Sequence, residues 1–300
     1  MKNSLEGIYI PAVTAFDCRE TVSEEMMAYN IEKWNQTDVA GYMCLGSNGE
    51  FRMLDDEESL RVIKTFVECR SESKGLIAGV GRESLYHTKK FIDRIQNAGL
   101  QVDYLSVLTP HYFKKAMDDR ALIAYFIAVA DFSRIPVLLY CAPGFANTVC
   151  ISSEVLKVLA EHPNIHGIKD TSQNMMNTYM DAVGERNDFH IMSGSVNTLY
   201  GCLKRGGKGA VISAANYFPQ ACARLFPLWQ EAGEEMFLSF YHALCGRIRQ
   251  TGARNGVAGV KACMNLCGYH AGTPRKPLQP LDDGQLEELQ HTLFLDDLYF

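Results

Sequence analysis

Apolar residues follow two alternating rhythms along this chain. Short apolar runs with few charges occur at 7–16, 40–45, 76–80, 103–108, 136–140, 165–169, 189–192 and 210–213. Between them apolar positions recur at helical spacing over 23–36, 55–72, 84–98, 118–131, 152–161, 173–185 and 196–204. Runs that stay apolar instead of alternating predict parallel strands covered by helices. Ser23 is a candidate N-cap, and Asp55 with Glu58 has capping-box spacing. Eight strand–helix units at roughly 25-residue spacing predict an α/β fold, a (β/α)8 TIM barrel. Beyond it the pattern is wholly helical, over 219–232, 236–250, 257–267 and 283–295. The expected organisation is a barrel over 1–218 and a C-terminal helical region over 219–300 packed on it. An open, doubly wound sheet is the competitor. It would place a glycine-rich turn after the first strand, and Val13-Thr14-Ala15-Phe16-Asp17 has none.

Composition narrows the function classes. The 300 residues are 47% apolar and 21% charged, an ordinary globular balance with ample core. A net charge of -6 argues against a nucleic-acid surface. The densest basic stretch, Lys204-Arg205-Gly206-Gly207-Lys208, is broken by glycines. A phosphate site there competes with a plain glycine-rich turn into strand eight, and the turn is the simpler reading. Residues 1–7 lack a signal-peptide core and no apolar run reaches membrane-spanning length, which points to a cytoplasmic protein without a membrane partner. The ten cysteines fall in apolar runs such as Tyr42-Met43-Cys44-Leu45, as buried free thiols in a reducing compartment would. Cys263 and Cys267 share a helical face but lack a second ligand pair, so no metal site is expected.

Chemistry in such barrels sits at the C-terminal strand ends. Those ends are Thr14, Ser47 and Asn48, Tyr112, Tyr140, Lys169 and Thr171, Gly194 and Ser195, and Ser213. Their centre is Ile165-His166-Gly167-Ile168-Lys169-Asp170-Thr171-Ser172, an apolar strand that delivers a lysine, with a helix expected to open at about Gln173. Desolvation and a neighbouring positive field favour a neutral amine, the form that attacks a carbonyl. One lysine, two tyrosines and several hydroxyls, without a histidine–carboxylate set, suit Schiff-base chemistry with a phenol as proton shuttle. The plainer alternatives are a surface lysine, a core tyrosine tied to a backbone carbonyl and an ordinary turn at 46–49.

These residues resemble the dihydrodipicolinate synthase and N-acetylneuraminate lyase superfamily of class I pyruvate-dependent aldolases. The likeness spans nearly the whole chain. It rests on Gly46-Ser47-Asn48-Gly49-Glu50, Leu139-Tyr140 with Pro143, Gly167-Ile168-Lys169-Asp170, Ser193-Gly194, and Gly206-Gly207-Lys208-Gly209. The resemblance implies that Lys169 forms an imine with a 2-oxo acid and that Tyr140 moves protons. It implies that Ser47 links Tyr140 to Tyr112, which reaches in from a neighbouring subunit of a homo-oligomer, a dimer or a dimer of dimers (a homotetramer). It further implies that Ser47 and Asn48 hold the pyruvate carboxylate, donors that a loop opening towards a helix can offer, with Thr171, Gly194 and Ile212 also at the substrate. The protonated imine is then the electron sink, so neither metal nor organic cofactor is implied.

Departures from the pattern bear on the substrate. After Tyr140 the synthase branch carries an arginine for the second substrate's carboxylate, whereas Tyr140-Cys141-Ala142-Pro143-Gly144-Phe145-Ala146-Asn147-Thr148 has none and places Asn147 near that position. Gly194 is followed by Ser195-Val196-Asn197, not by the Tyr-Asp-Glu of neuraminate lyases. Local similarity to 4-hydroxy-2-oxoglutarate aldolases recurs at 46–51, 146–148, 162–165, 268–272 and 275–279. The leading expectation is cleavage of a 4-hydroxy-2-oxo acid to pyruvate and a small aldehyde, 4-hydroxy-2-oxoglutarate favoured. The alternatives are condensation of pyruvate with aspartate semialdehyde, and a non-catalytic ligand-binding member of the fold.

Overall fold

A computed structural model of the chain describes residues 4–172, 174–184 and 186–294. Eight strands, β1 (Gly7–Pro11), β2 (Gly41–Cys44), β3 (Gly75–Gly79), β4 (Tyr104–Leu108), β5 (Val137–Cys141), β6 (Ile165–Asp170), β7 (His190–Ser193) and β8 (Gly209–Val211), close into a barrel in chain order. With helices between the strands, this is the (β/α)8 barrel that the apolar rhythm predicts. The resolved pairings are parallel, and nearly every strand residue is buried. That burial is why the strands read as unbroken apolar runs.

The chain divides into two compact units. The first comprises 4–6 and 75–211 and carries β3 to β8 with α3 (Leu85–Asn97), α4 (Asp119–Phe132), α5 (Ser153–Leu159), α6 (Met176–Val183) and α7 (Val196–Lys204). Ser84, Asp118 and Ser152 each accept a hydrogen bond from a first-turn amide, which stops the helix at a defined residue. Gly167 is required by packing, since a Cβ there would stand 2.2 Å from the His190 carbonyl oxygen and push β6 off β7.

The second unit comprises 7–74 and 212–294. It holds β1 and β2, α1 (Glu24–Asn35), α2 (Asp56–Cys69), and a helical run α8 (Pro219–Ala223), α9 (Leu225–Glu231), α10 (Glu234–Gln250), α11 (Gly256–Leu266) and α12 (Asp283–Phe294). Ser23 caps α1, and Asp55 with Glu58 forms both arms of the capping box of α2, as expected.

Several expectations need correction. The first strand stops at Pro11: the Ala12 amide still donates to Met43 of β2, but the Val13 amide turns to the Asn216 side chain and Phe16 bridges Val22. The helix expected over 219–232 is broken at Arg224, where Pro227 has no N–H for the Ala223 carbonyl and its ring crowds that oxygen. Ser213 lies past β8, in a 3₁₀ turn Ser213–Asn216. Gln173, Glu185 and Leu295, ends of two expected helices, lie outside the described residues. Not every thiol is enclosed: Cys18 is exposed, and Cys69, Cys150 and Cys267 are half-buried. Among the described residues no helix is long and apolar enough to cross a membrane, and no cluster of three or more His, Cys, Asp or Glu is placed to hold a metal.

Candidate active site

Parallel pairing of β5 with β6 sets Tyr140 beside Lys169 and Cys141 beside Asp170. Both Tyr140 and Lys169 are enclosed, each about 3% exposed, and Lys169 Nζ stands 4.2 Å from the centre of the Tyr140 ring. An aromatic face is a favourable neighbour for a cation on that nitrogen, whether ammonium or protonated imine. The two residues that sequence reasoning singled out first are thus brought together.

The next residues lock this strand end. The Thr171 amide and hydroxyl both donate to the Cys141 carbonyl, each at 2.9 Å. The Gly194 amide donates to the Asp170 carbonyl at 2.6 Å, and a Cβ on Gly194 would meet Thr171 Cγ2 at 2.2 Å. Gly194 therefore serves close approach of β7's end to β6's end. Asp170 is fully buried and accepts from the Ser172 amide and hydroxyl at 2.9 and 3.0 Å. Burial still pushes its carboxyl up to about 6 against those bonds. The helix expected at about Gln173 begins at Met176, since Ser172 turns the chain first and accepts from the Met175 amide. α6 therefore does not open immediately after Lys169.

Tyr112 and Asn147 lie on the loops after β4 and β5. Tyr112 is 74% exposed, beside Phe113, and its backbone is pinned by Glu83, whose Oε2 accepts from the His111 and Tyr112 amides at 2.9 Å. Asn147 is exposed in the left-handed region at φ 48, and its amide donates to the His111 carbonyl at 3.3 Å. Lys114 donates to the Thr148 hydroxyl, tying the same two loops. Sequence reasoning missed Glu83.

In the second unit, Ser47 and Asn48 occupy the turn after β2, both half-buried. Asn48 donates to the Ser213 hydroxyl, and Thr14 donates to the Gly49 carbonyl at 2.7 Å. Ile212, enclosed, donates its amide to the Tyr9 carbonyl at 3.2 Å and leads into the turn that carries Ser213. The turn runs through Glu50, at φ 51, and a 3₁₀ turn Phe51–Met53 towards α2. The left-handed Glu50 is held from below by a second missed residue. Lys261 of α11, fully enclosed, meets Glu50 Oε1 at 2.7 Å and donates to the Thr273 carbonyl at 3.0 Å. Arg275 donates its backbone amide to Glu50 Oε2 and its guanidinium to both Glu58 oxygens. Both cations stand over the Phe16 ring, at 4.3 and 4.4 Å. A lone charge in the apolar run Val257–Met264 was the available signal for Lys261.

The dihydrodipicolinate synthetase family profile matches residues 4–294. A probable mitochondrial 4-hydroxy-2-oxoglutarate aldolase of Emericella nidulans is 31% identical over 276 residues, 90% of this chain and 88% of that one. A 4-hydroxy-tetrahydrodipicolinate synthase of Leptospira biflexa is 28% identical over 94% of both chains. The crystal structure of YagE, a prophage protein of the dihydrodipicolinic acid synthase family from E. coli K12 in complex with pyruvate, matches with a TM-score of 0.87 and 26% identity, covering 96% of this chain and 97% of that one. The barrel is thus that of a lyase acting on carbon–carbon bonds. The chain belongs to the dihydrodipicolinate synthetase family.

Proposed function

We propose that this protein is a Schiff-base aldolase that cleaves a 4-hydroxy-2-oxo acid, of the 4-hydroxy-2-oxoglutarate type, to pyruvate and an aldehyde. The observation that carries it is the enclosed Lys169 nitrogen over the Tyr140 ring. The amine of Lys169 attacks the C2 carbonyl, and loss of water from the carbinolamine leaves a protonated imine. Tyr140 takes the C4 hydroxyl proton and the C3–C4 bond breaks. The aldehyde departs while the electron pair moves into the imine, giving an enamine. Protonation at C3 and hydrolysis then release pyruvate. No metal or organic cofactor enters these steps.

Family resemblance supplies the remaining roles: Ser47 and Asn48 for the carboxylate, Thr171, Gly194 and Ile212 around the substrate, and Tyr112 completing the site of a neighbouring copy in a homo-oligomer. Exposure of Tyr112 and Phe113 fits that last role. For the substrate, the relative named a 4-hydroxy-2-oxoglutarate aldolase supports the reading, and the lack of an arginine over 141–148 sets the chain apart from the synthase branch.

Pyruvate with borohydride, followed by peptide mapping, tests the chemistry. The expected label sits on Lys169, and a label elsewhere or none at saturating pyruvate overturns the imine. Turnover across 4-hydroxy-2-oxoglutarate, 2-keto-3-deoxy sugar acids, sialic acid and aspartate semialdehyde tests the substrate. The highest kcat/KM for the semialdehyde would replace this reading with the synthase reaction.

A further inference from the structure

Cys141 closes β5 one residue after Tyr140, and its sulfur lies 3.3 Å from that of Cys150, nine positions on. Tyr179 of α6 forms the third side of this cluster. Its hydroxyl donates to the Ile151 carbonyl at 2.6 Å and stands 3.3 Å from the Cys141 sulfur and 3.5 Å from that of Cys150. Cys141 and Tyr179 are wholly enclosed, while Cys150 is half-buried. The contact with the Cys141 sulfur draws the Cys150 thiol below its ordinary range. The same contact, with burial, pushes Cys141 up. A half-buried thiol drawn towards ionisation beside an enclosed one, sulfurs 3.3 Å apart, has the arrangement of an attacking and a resolving cysteine.

We propose that Cys141 and Cys150 are a thiol-modification site, a reversible disulfide that disables the strand ends carrying Tyr140 and Lys169. With a peroxide as oxidant, the Cys150 thiolate attacks one peroxide oxygen and the O–O bond breaks, leaving a sulfenic acid and releasing the other oxygen as water after protonation. The Cys141 sulfur then attacks the sulfenic sulfur, its proton leaves with the hydroxyl as a second water, and the S–S bond forms. Two thiols lose two electrons and the peroxide gains them. Closing the bond needs the sulfurs to approach from 3.3 Å, and whatever share of that movement Cys141 takes reaches its bonding partners. Its carbonyl holds Thr171 twice and its register partner is Asp170, so the shift is passed to both neighbours of Lys169 and Tyr140. A site whose groups must meet within a fraction of an ångström loses about tenfold or more from such a displacement.

The test treats Cys18→Ser protein, which lacks the exposed thiol, with hydrogen peroxide in modest molar excess, followed by non-reducing peptide mapping. The expected product is a 141–150 linked peptide, lost on adding dithiothreitol. Cys150 oxidised without pairing, or a different pairing, overturns the site. Labelling of Lys169 by pyruvate with cyanoborohydride, which reduces an imine but spares a disulfide, should fall about tenfold with linkage and recover on reduction, while Cys150→Ser protein keeps its labelling under peroxide. Labelling unchanged by a formed disulfide overturns the coupling. Absence of labelling even in reduced protein refutes the imine instead, with disulfide mapping standing apart from it.

Discussion

Lys169 and Lys261 are both enclosed lysines set over aromatic rings, the first 4.2 Å from Tyr140 and the second 4.3 Å from Phe16. Their settings differ in what else the nitrogen meets. Lys261 stands against the Glu50 carboxylate at 2.7 Å and the Thr273 carbonyl at 3.0 Å, so its protons are committed. Such a nitrogen is a clamp, holding the left-handed Glu50 that follows the Ser47–Asn48 turn. Lys169 sits on a strand whose register places a phenol next to it, a group able to take and return a proton. Burial of a lysine over an aromatic ring therefore does not by itself distinguish a structural clamp from a candidate nucleophile.

The sharpest way to break this comparison is to replace each lysine by methionine. Lys169→Met should lower turnover roughly 10³-fold or more and abolish borohydride labelling. Its melting midpoint should change little, as read by circular dichroism. Tyr140→Phe comes next, with a loss of about 10²-fold or more in kcat while labelling of Lys169 by pyruvate persists. If both functions vanish together, the tyrosine holds the lysine in place and is no shuttle.

Lys261→Met should act in the opposite sense. It strands the Glu50 carboxylate in an enclosed site, at a cost of about 3–5 kcal/mol in urea unfolding. Lys261→Met with Glu50→Gln should recover much of that loss, since the unpaired charge is gone. An unchanged midpoint in the single variant would show that Glu50 is not held by this lysine.

The pH dependence sharpens the same point. Desolvation, partly opposed by Glu50, pushes Lys261 down from 10.5 to about 8. Between those values the unfolded chain keeps the proton and the native protein releases it. The unfolded state then binds more protons, so this group's contribution to stability rises with pH across the window. The gap in unfolding free energy between wild type and Lys261→Met should therefore widen above about pH 8, and a constant or shrinking gap would contradict the placement. The smallest effect belongs to Arg275, whose fork on Glu58 is partly solvated and holds that carboxyl below its ordinary range. Arg275→Lys should cost about 1 kcal/mol, because an ammonium cannot reproduce two parallel bonds to one carboxylate.

Much of this was legible in the chain. Unbroken apolar runs are what two-sided burial of parallel strands selects, and capping residues such as Ser23 and Asp55 mark helix starts through purely local bonds. That Lys169 and Tyr140 lie at the C-terminal ends of β6 and β5 was readable from the apolar runs that lead into them. Break points were less legible where the cause lies elsewhere in the chain. β1 stops at Pro11 because the Val13 amide bonds to the Asn216 side chain, a partner more than two hundred positions away. The Lys261–Glu50 clamp, the grip of Glu83 on the Tyr112 loop and the Cys141–Cys150–Tyr179 cluster were decided only by tertiary structure. A sequence pattern reports which side chains leave water, whereas hydrogen bonds and ion pairs act over a few ångströms between residues that only the closed fold brings into reach.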